Sequence, residues 1–132
     1  ILNFEHITNN ANKLISEFDV RTPSEMQMVN KLSGGNQQKV IIAREISLNP
    51  DLLIAVQPTR GLDVGAIEFI HRSIIDERNV GKGVLLISFE LDEILDLSDR
   101  IAVMYEGKIV SVLDANKTDS NEVGLLMAGG KN

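Results

Sequence analysis

The sequence predicts an α/β fold, in which parallel strands are joined by crossover helices and followed by a β-hairpin. After residue 33, short and wholly apolar runs alternate with longer amphipathic segments, as in a parallel sheet covered on both faces. Near the C-terminus, two apolar-rich segments lie only two residues apart, which is the spacing of a hairpin. The chain of 132 residues is 43% hydrophobic and 24% charged, which is typical of a globular domain with one core.

The helices are predicted from apolar residues spaced three and four apart and from the residues typical of helix ends. Thr22-Pro23-Ser24 separates the first helix from the second, because proline restricts the residue before it to extended conformations. Asn49-Pro50 ends the second helix in the same way. Five helices are expected, at residues 5–18, Gly34–Leu48, Leu62–Arg78, Glu90–Leu97 and 119–128, followed by a frayed tail at Gly129-Gly130.

Four strands are expected. Leu52–Val56 and Gly83–Ser88 are short apolar runs, which predicts strands buried on both faces of a parallel sheet with right-handed crossovers. Arg100–Tyr105 and Lys108–Leu113 are joined by Glu106-Gly107, where glycine can supply the positive φ of a two-residue turn. The second pair is therefore expected to form an antiparallel hairpin.

The charge of the chain limits its partners. Its net charge is −6 and its isoelectric point is about 4.8, so it offers no cationic surface to the phosphates of DNA or RNA. We expect no nucleic-acid partner. The longest apolar runs are far shorter than the ~20 residues that span a bilayer. The chain starts with Ile1-Leu2-Asn3 and no methionine, so we expect it to be part of a longer protein.

No metal site is predicted. The chain has no cysteine, and His6 and His71 lack the spacing of metal ligands. Five carboxylates crowd one segment, but on a helix they fall around several faces and lack the turn geometry of a calcium loop. They are interpreted as a solvated helix face, and they are Glu90, Asp92, Glu93, Asp96 and Asp99.

The stretch Ser33-Gly34-Gly35 has the features of an anion-binding helix start. The glycines have no Cβ, so a phosphate can approach the backbone closely, and the first N–H groups of a helix have no partner within it. Ser33 adds a hydroxyl at the N-cap position. Taken alone, these residues fit a plain helix cap better than a binding site, so the spacing to the motifs downstream decides the interpretation.

The whole stretch LSGGNQQKV, residues 32–40, resembles the signature motif of ATP-binding cassette (ABC) ATPases, in the variant typical of ribose, galactose and nucleoside importers. Downstream, PTRGLDVGA at 58–66 resembles the stretch that ends in the D-loop, and SDRIAVMYEGKIV at 98–110 resembles the strands that close the cassette. The resemblance runs from about Phe18 to the C-terminus. It implies a partial P-loop NTPase-like cassette.

The same resemblance implies two subdomains. Residues 1–50 would be part of the helical subdomain that carries the signature. Residues 51–132 would be the C-terminal part of the ATPase core sheet, with the hairpin and the terminal helix.

The hydrolytic residues of the family are missing. In such cassettes the apolar strand ends in Asp-Glu, where the aspartate holds Mg²⁺ and the glutamate polarises the attacking water, but this chain has Val56 and Gln57. Valine has no oxygen for a hard cation, and a neutral amide is a much weaker base than a carboxylate. The switch position, usually histidine, is Phe89. The phosphate loop G-x-x-x-x-G-K-[ST] is absent from these 132 residues, so we expect this fragment alone to be inactive and to bind no ATP or Mg²⁺.

The resemblance implies that two cassettes face each other and that each ATP lies between the phosphate loop of one and the signature of the other. This chain would then be the C-terminal portion of the second, degenerate cassette of an importer, serving the ATP and Mg²⁺ of the first cassette of the same protein. The implied nucleotide contacts are Ser33, Gly34, Gly35, Asn36 and Gln37. The implied D-loop interface is Gly61, Leu62 and Asp63.

The other implied partners are transmembrane permease subunits and a separate substrate-binding protein, with the cassette at the cytoplasmic face of the membrane. Nucleosides are favoured over simple sugars as the transported substrate. Two other functions stay open: a non-catalytic, ATP-gated dimerisation module of a soluble ABC protein, and a self-sufficient ATPase. The sheet would lack its neighbours in this fragment, so self-association is also expected.

Overall fold

The computed structural model describes residues 2–130; Ile1 and 131–132, the outermost residues of the two predicted subdomains, lie outside this range. The described part contains five α-helices and four strands. The helices are α1 Phe4–Glu17, α2 Gly34–Ser47, α3 Val64–Asn79, α4 Leu91–Leu97 and α5 Ser120–Met127. The strands are β1 Leu52–Val56, β2 Gly83–Ile87, β3 Arg100–Tyr105 and β4 Lys108–Asp114.

All nine predicted elements are confirmed, with ends that differ by two residues at most. The strands form two pairs, β1 with β2 and β3 with β4. Two backbone hydrogen bonds flank the first pair: Gly83 N donates to Asp51 O at 2.9 Å, and Gln57 N donates to Ile87 O at 2.8 Å. The two strands therefore run in the same direction. The predicted α/β class with parallel strands and an antiparallel hairpin is confirmed. Two short 3₁₀ turns, Val29–Lys31 and Ala115–Lys117, were not predicted.

The chain divides into two compact units. The first consists of the chain up to Leu53 together with Pro58–Leu85, and the second consists of Ile54–Gln57 together with the chain from Leu86 onward. The first unit contains α1, α2 and α3 and centres on Ile70, which is completely buried. Its other buried apolar residues are Phe18, Val20, Ile42, Ala43, Leu53, Ala66 and Ile74. The predicted division at residues 50 and 51 is a functional one and stays a prediction.

A buried lysine joins three segments of the first unit. Lys39, on α2, is 7% exposed, and its Nζ donates to the backbone oxygen of Asp19 at 2.9 Å and to Asp19 Oδ2 at 2.8 Å. The same ammonium lies 4.6 Å from the ring centre of Phe69 on α3, a favourable cation–π distance. The hydrogen bond and charge of Lys39 lower the pKa of the Asp19 carboxyl. This lysine therefore fixes the turn after α1 against α2 and α3.

Strand β1 is apolar throughout but is covered on one face only. Leu53 and Ala55 are 5% and 6% exposed, whereas Leu52, Ile54 and Val56 are 54%, 57% and 60% exposed. The prediction of strands buried on both faces is therefore wrong for β1 within the described residues, and it is also wrong for β2, where Leu85 and Ile87 are 48% and 45% exposed. The physical reason is that side chains alternate across a strand, and nothing among residues 2–130 covers the second face.

The second unit is organised around the hairpin of β3 and β4. Glu106 and Gly107 both have positive φ, 47° and 75°, as the predicted two-residue turn requires. The pairing register shifts between Val103 and Met104, because Val110 of β4 has no register partner on β3. The core consists of Ile101, Val103, Val123 and Leu126, with Leu91, Ile94, Leu95, Leu113 and Ala115 packed against it.

Two expectations for this unit are wrong. Gly129 N donates to Leu126 O at 3.1 Å and Gly130 N to Leu125 O at 2.9 Å, so the tail closes α5 in a Schellman motif and does not fray. Glu93 is 4% exposed and not on a solvated face. None of the helices in residues 2–130 is long and apolar enough to cross a bilayer.

Candidate functional site

The start of α2 carries the serine and glycines of the signature-like stretch. Ser33 has extended φ and ψ of −62° and 157° and is the N-cap of α2. Its Oγ accepts from Asn36 N at 3.4 Å, and its backbone oxygen accepts from Gln37 N at 2.9 Å. Ser33 and Gly34 are exposed. The positive end of the helix dipole, the first N–H groups of α2 and a serine hydroxyl are thus presented together, which suits an anion.

The amides that follow are turned onto the protein. The Asn36 side chain accepts from Arg21 N at 2.8 Å through Oδ1 and donates to Ser33 Oγ at 2.9 Å through Nδ2. Gln37 Nε2 donates to Leu32 O at 2.9 Å. These bonds hold the chain on both sides of Ser33 in a defined conformation. That Asn36 and Gln37 contact a nucleotide stays a prediction.

Gly35 lies at a close contact between α2 and α3. A Cβ built at this position would be 2.8 Å from Ala66 Cβ and 3.5 Å from Asp63 Oδ2. Gly35 is buried, whereas a Cβ on Gly34 would meet only Leu62 Cδ2, at an ordinary 3.7 Å. The two glycines therefore do different things: Gly35 permits the helix contact, and Gly34 leaves the exposed side of the helix start open.

The D-loop-like residues lie beside the signature-like residues in the same unit. Gly61 has a φ of 73°, which permits the turn in which Leu62 N donates to Thr59 O at 3.2 Å. Asp63 is the N-cap of α3, and its Oδ1 accepts from Ala66 N at 3.0 Å. The structure thus brings Gly35 and Asp63 together, as neighbouring starts of two helices.

The three degenerate positions lie in the second unit and carry no carboxylate. Val56 ends β1 and is 60% exposed; Phe89, at the switch position, is 74% exposed. Gln57 has a φ of 49°, and its Nε2 is buried with no hydrogen-bond partner among the described residues. Its amide carries one neutral oxygen in place of the two charged carboxylate oxygens of a glutamate, so it is a poor ligand and base at this position.

These residues do not fit a magnesium ion. Mg²⁺ takes oxygen ligands in octahedral geometry, and neither Val56 nor Phe89 has a side-chain oxygen. Across residues 2–130, no group of three or more His, Cys, Asp or Glu side chains could hold a metal ion.

Sequence reasoning missed two participants at the α2 start. The backbone N–H of Arg21 anchors the Asn36 side chain from 15 residues away, and no sequence signal marks a backbone donor. Ala66 is the residue that Gly35 packs against. Its small size, matched to a glycine, is a signal, but it becomes readable only when the pairing of the two helices is known.

The chain is similar to curated proteins over most of its length. It is 63% identical over 119 residues to the guanosine import ATP-binding protein NupO of Bacillus subtilis, and the match covers 90% of the chain and 23% of NupO. It is 57% identical over 129 residues to the nucleoside import ATP-binding protein NupA of Lactococcus lactis, in 98% of the chain and 26% of NupA. It is 42% identical over 130 residues to the ribose import ATP-binding protein RbsA of Caldanaerobacter subterraneus, in 98% of the chain and 26% of RbsA.

The chain thus spans about a quarter of the length of these relatives. No family model matches it.

Solved structures share the fold. The dimeric cassette MJ0796 in a post-hydrolysis state bound to ADP and Pi is similar with a TM-score of 0.74 at 25% identity, covering 87% of this chain and 50% of that one. A nucleotide-free ATP-binding cassette from an ABC transporter is similar in fold, with a TM-score of 0.72 at 23% identity. The match covers 94% of this chain and 47% of that cassette. The predicted partial cassette fold is therefore confirmed, and the curated relatives of this chain are ATP-binding proteins of nucleoside and sugar importers.

Proposed function

We propose that this chain is part of the ATP-binding subunit of an ABC importer, in which it supplies the signature motif to ATP held by a partner cassette, while its own hydrolytic position is degenerate. The observation that carries the proposal is the contrast between two sites. The start of α2 presents Ser33 and open helix N–H groups, whereas Val56 and Gln57 offer no carboxylate.

The chemistry assigned to this chain is binding and orientation. Ser33 donates its hydroxyl to a phosphate oxygen, and the N–H groups of Gly34 and Gly35 add to the positive end of the α2 dipole. Gly34 leaves room for close approach because its side has no Cβ. ATP, Mg²⁺, the glutamate and the phosphate loop are contributed by the partner cassette, which is the first cassette of the same protein. Asp63 faces that partner at the D-loop.

The transported substrate in this proposal is a nucleoside, with simple sugars as the near alternative. Support comes from the relatives: the two named for guanosine and nucleoside import are 63% and 57% identical to the chain, and the one named for ribose import is 42% identical. Permease subunits and a separate substrate-binding protein complete the importer, which places this chain at the cytoplasmic face of the membrane.

The test is ATP turnover by the full-length transporter carrying Ser33→Arg. An arginine side chain occupies the space in front of the helix start and removes the hydroxyl, so we expect turnover to fall on the order of 100-fold, as when a transition-state donor is lost. Gln57→Glu is the matched comparison and leaves turnover near wild type, because Val56 still provides no oxygen for Mg²⁺.

Wild-type turnover by Ser33→Arg would show that the signature-like stretch serves no nucleotide. A large gain with Gln57→Glu would show that a carboxylate alone restores hydrolysis at this half's own site, which would contradict the reasoning from Val56. Turnover by the isolated 132-residue chain would contradict the proposal in the same way.

A further inference from the structure

The Asn36 side chain is held by two partners, and one of them fixes which way the amide points. Its Oδ1 accepts from the backbone N–H of Arg21 at 2.8 Å. A backbone N–H can only donate, so the atom that faces Arg21 must be the amide oxygen. The other end of the amide is therefore the NH₂ group, and it donates to Ser33 Oγ at 2.9 Å.

The Ser33 hydroxyl is left with one free function. A serine hydroxyl has two acceptor lone pairs and one hydrogen to donate. Ser33 Oγ accepts from Asn36 Nδ2 at 2.9 Å and from Asn36 N at 3.4 Å. Both lone pairs face Asn36, so the O–H of this exposed residue points away from the helix and can only donate.

A phosphate oxygen bears negative charge and needs a donor. If the hydroxyl could turn, its lone pairs would at times face the phosphate and repel it. Asn36 prevents this, because each other staggered orientation of the hydroxyl points its hydrogen at one of the two Asn36 donors and sacrifices the hydrogen bond from that donor.

We propose that Asn36 is a positioning residue and not a nucleotide contact: it commits the Ser33 hydroxyl to donate outward to a phosphate oxygen and ties that orientation to the turn at Arg21. Both polar atoms of its side chain are already engaged within the protein. The inference rests on the proposed function, in which Ser33 contacts the phosphate.

Asn36→Asp is the informative substitution because it is nearly isosteric. The carboxylate keeps an oxygen for Arg21 N, so the turn stays anchored, but it cannot donate to Ser33. The serine hydroxyl then donates inward to the carboxylate and presents its lone pairs to the phosphate. We expect kcat/KM for ATP in the full-length transporter to fall about 10-fold or more, as for a lost charge-assisted hydrogen bond, with the melting temperature close to wild type.

A double-mutant cycle with Ser33→Ala separates this action from a direct effect of the new charge. If Asn36 acts through the hydroxyl, adding Asn36→Asp to Ser33→Ala changes kcat/KM by less than about two-fold, because coupled residues are not additive. If the carboxylate repels the phosphate directly, or if Asn36 contacts the nucleotide, the full loss persists in the Ser33→Ala background and the inference is overturned.

Asn36→Ala provides the second variant, should Asn36→Asp prove too unstable. It also loses the donor to Ser33, and the same cycle applies to it. Its melting temperature should fall, because the bond to Arg21 is lost as well. That fall measures the structural role of Asn36, whereas the coupling to Ser33 in kcat/KM measures its positioning role.

The cycle also distinguishes the two proposals. A loss with Ser33→Ala but additive Asn36 variants would overturn the positioning role and leave the proposed function intact. Wild-type kinetics for Ser33→Ala would overturn the proposed function, and the positioning role with it.

Discussion

Replacing Gly35 by alanine tests how closely α2 and α3 approach each other. A Cβ at position 35 would lie 2.8 Å from the Cβ of Ala66, well inside the ~3.5–4.0 Å at which carbon atoms attract each other. Overpacking of this kind costs ~1–3 kcal/mol, and the better helix propensity of alanine offsets up to ~1 kcal/mol. We therefore expect Gly35→Ala to lower the free energy of unfolding by about 1–2 kcal/mol.

Gly34→Ala is the matched control in the same helical turn. Its Cβ would meet only Leu62 Cδ2 at 3.7 Å, an ordinary contact, so the free energy of unfolding should stay the same or rise slightly. Thermal melting followed by circular dichroism compares the two variants. For a chain of this size, ~1 kcal/mol corresponds to a shift in melting temperature of roughly 3–6 °C.

The substitution Ala66→Gly removes the other half of the contact. In the double variant Gly35→Ala/Ala66→Gly the overlap is gone, so the two changes together should destabilise the chain less than the sum of the single changes. Equal melting of Gly35→Ala and Gly34→Ala, or strict additivity in the double variant, would refute the close helix contact.

Three further outcomes are expected. Lys39 lowers the pKa of the Asp19 carboxyl in the folded state, so the stability that Asp19 contributes is present above its ordinary pKa near 3.8 and is lost as the pH falls through the folded value. The melting temperature should therefore depend less on acid pH in Asp19→Asn than in wild type, and identical titration curves would contradict the ion pair. In denaturant titrations, Gly129→Ala should lower the free energy of unfolding more than Gly107→Ala. Both glycines have positive φ, 82° and 75°, but only a Cβ at 129 meets a tyrosine ring, at 2.6 Å, whereas the site at 107 is open. Equal losses of unfolding free energy would argue against packing of the tail on that ring. Ile54→Lys places a charge on the bare face of β1 and should shift the 132-residue chain from self-associated species toward monomer in sedimentation velocity; a wild-type chain that is monomeric at high concentration would refute this.

The element boundaries could be predicted from the sequence because they depend on local signals. Asn49-Pro50 ends a helix, Glu106-Gly107 makes a hairpin turn, and the short apolar run Leu52–Val56, which Asn49-Pro50 precedes, predicts a strand. These signals act over a few residues, so they can be read without knowing the rest of the fold.

Burial could not be predicted equally well, because it depends on what lies nearby in space. The apolar pattern of β1 gave no indication that Ile54 would be exposed while Ala55 is covered. Glu93 was assigned to a solvated face because of its charge, but it lies among the least exposed residues of the second unit. At the candidate site, the partner of Asn36 is a backbone group near the end of another segment, and side-chain patterns carry no information about it.

The chain is repulsive to phosphate at a distance and attractive to it at contact. Its net charge of −6 acts on an anion over a screening length of ~8–10 Å. The dipole at the start of α2 and the Ser33 hydroxyl act only within the first turn. The helix start is therefore poorly suited to capture a free anion from solution and well suited to respond to one already delivered to it. In the proposed function, the helix start therefore binds a phosphate that another surface already holds.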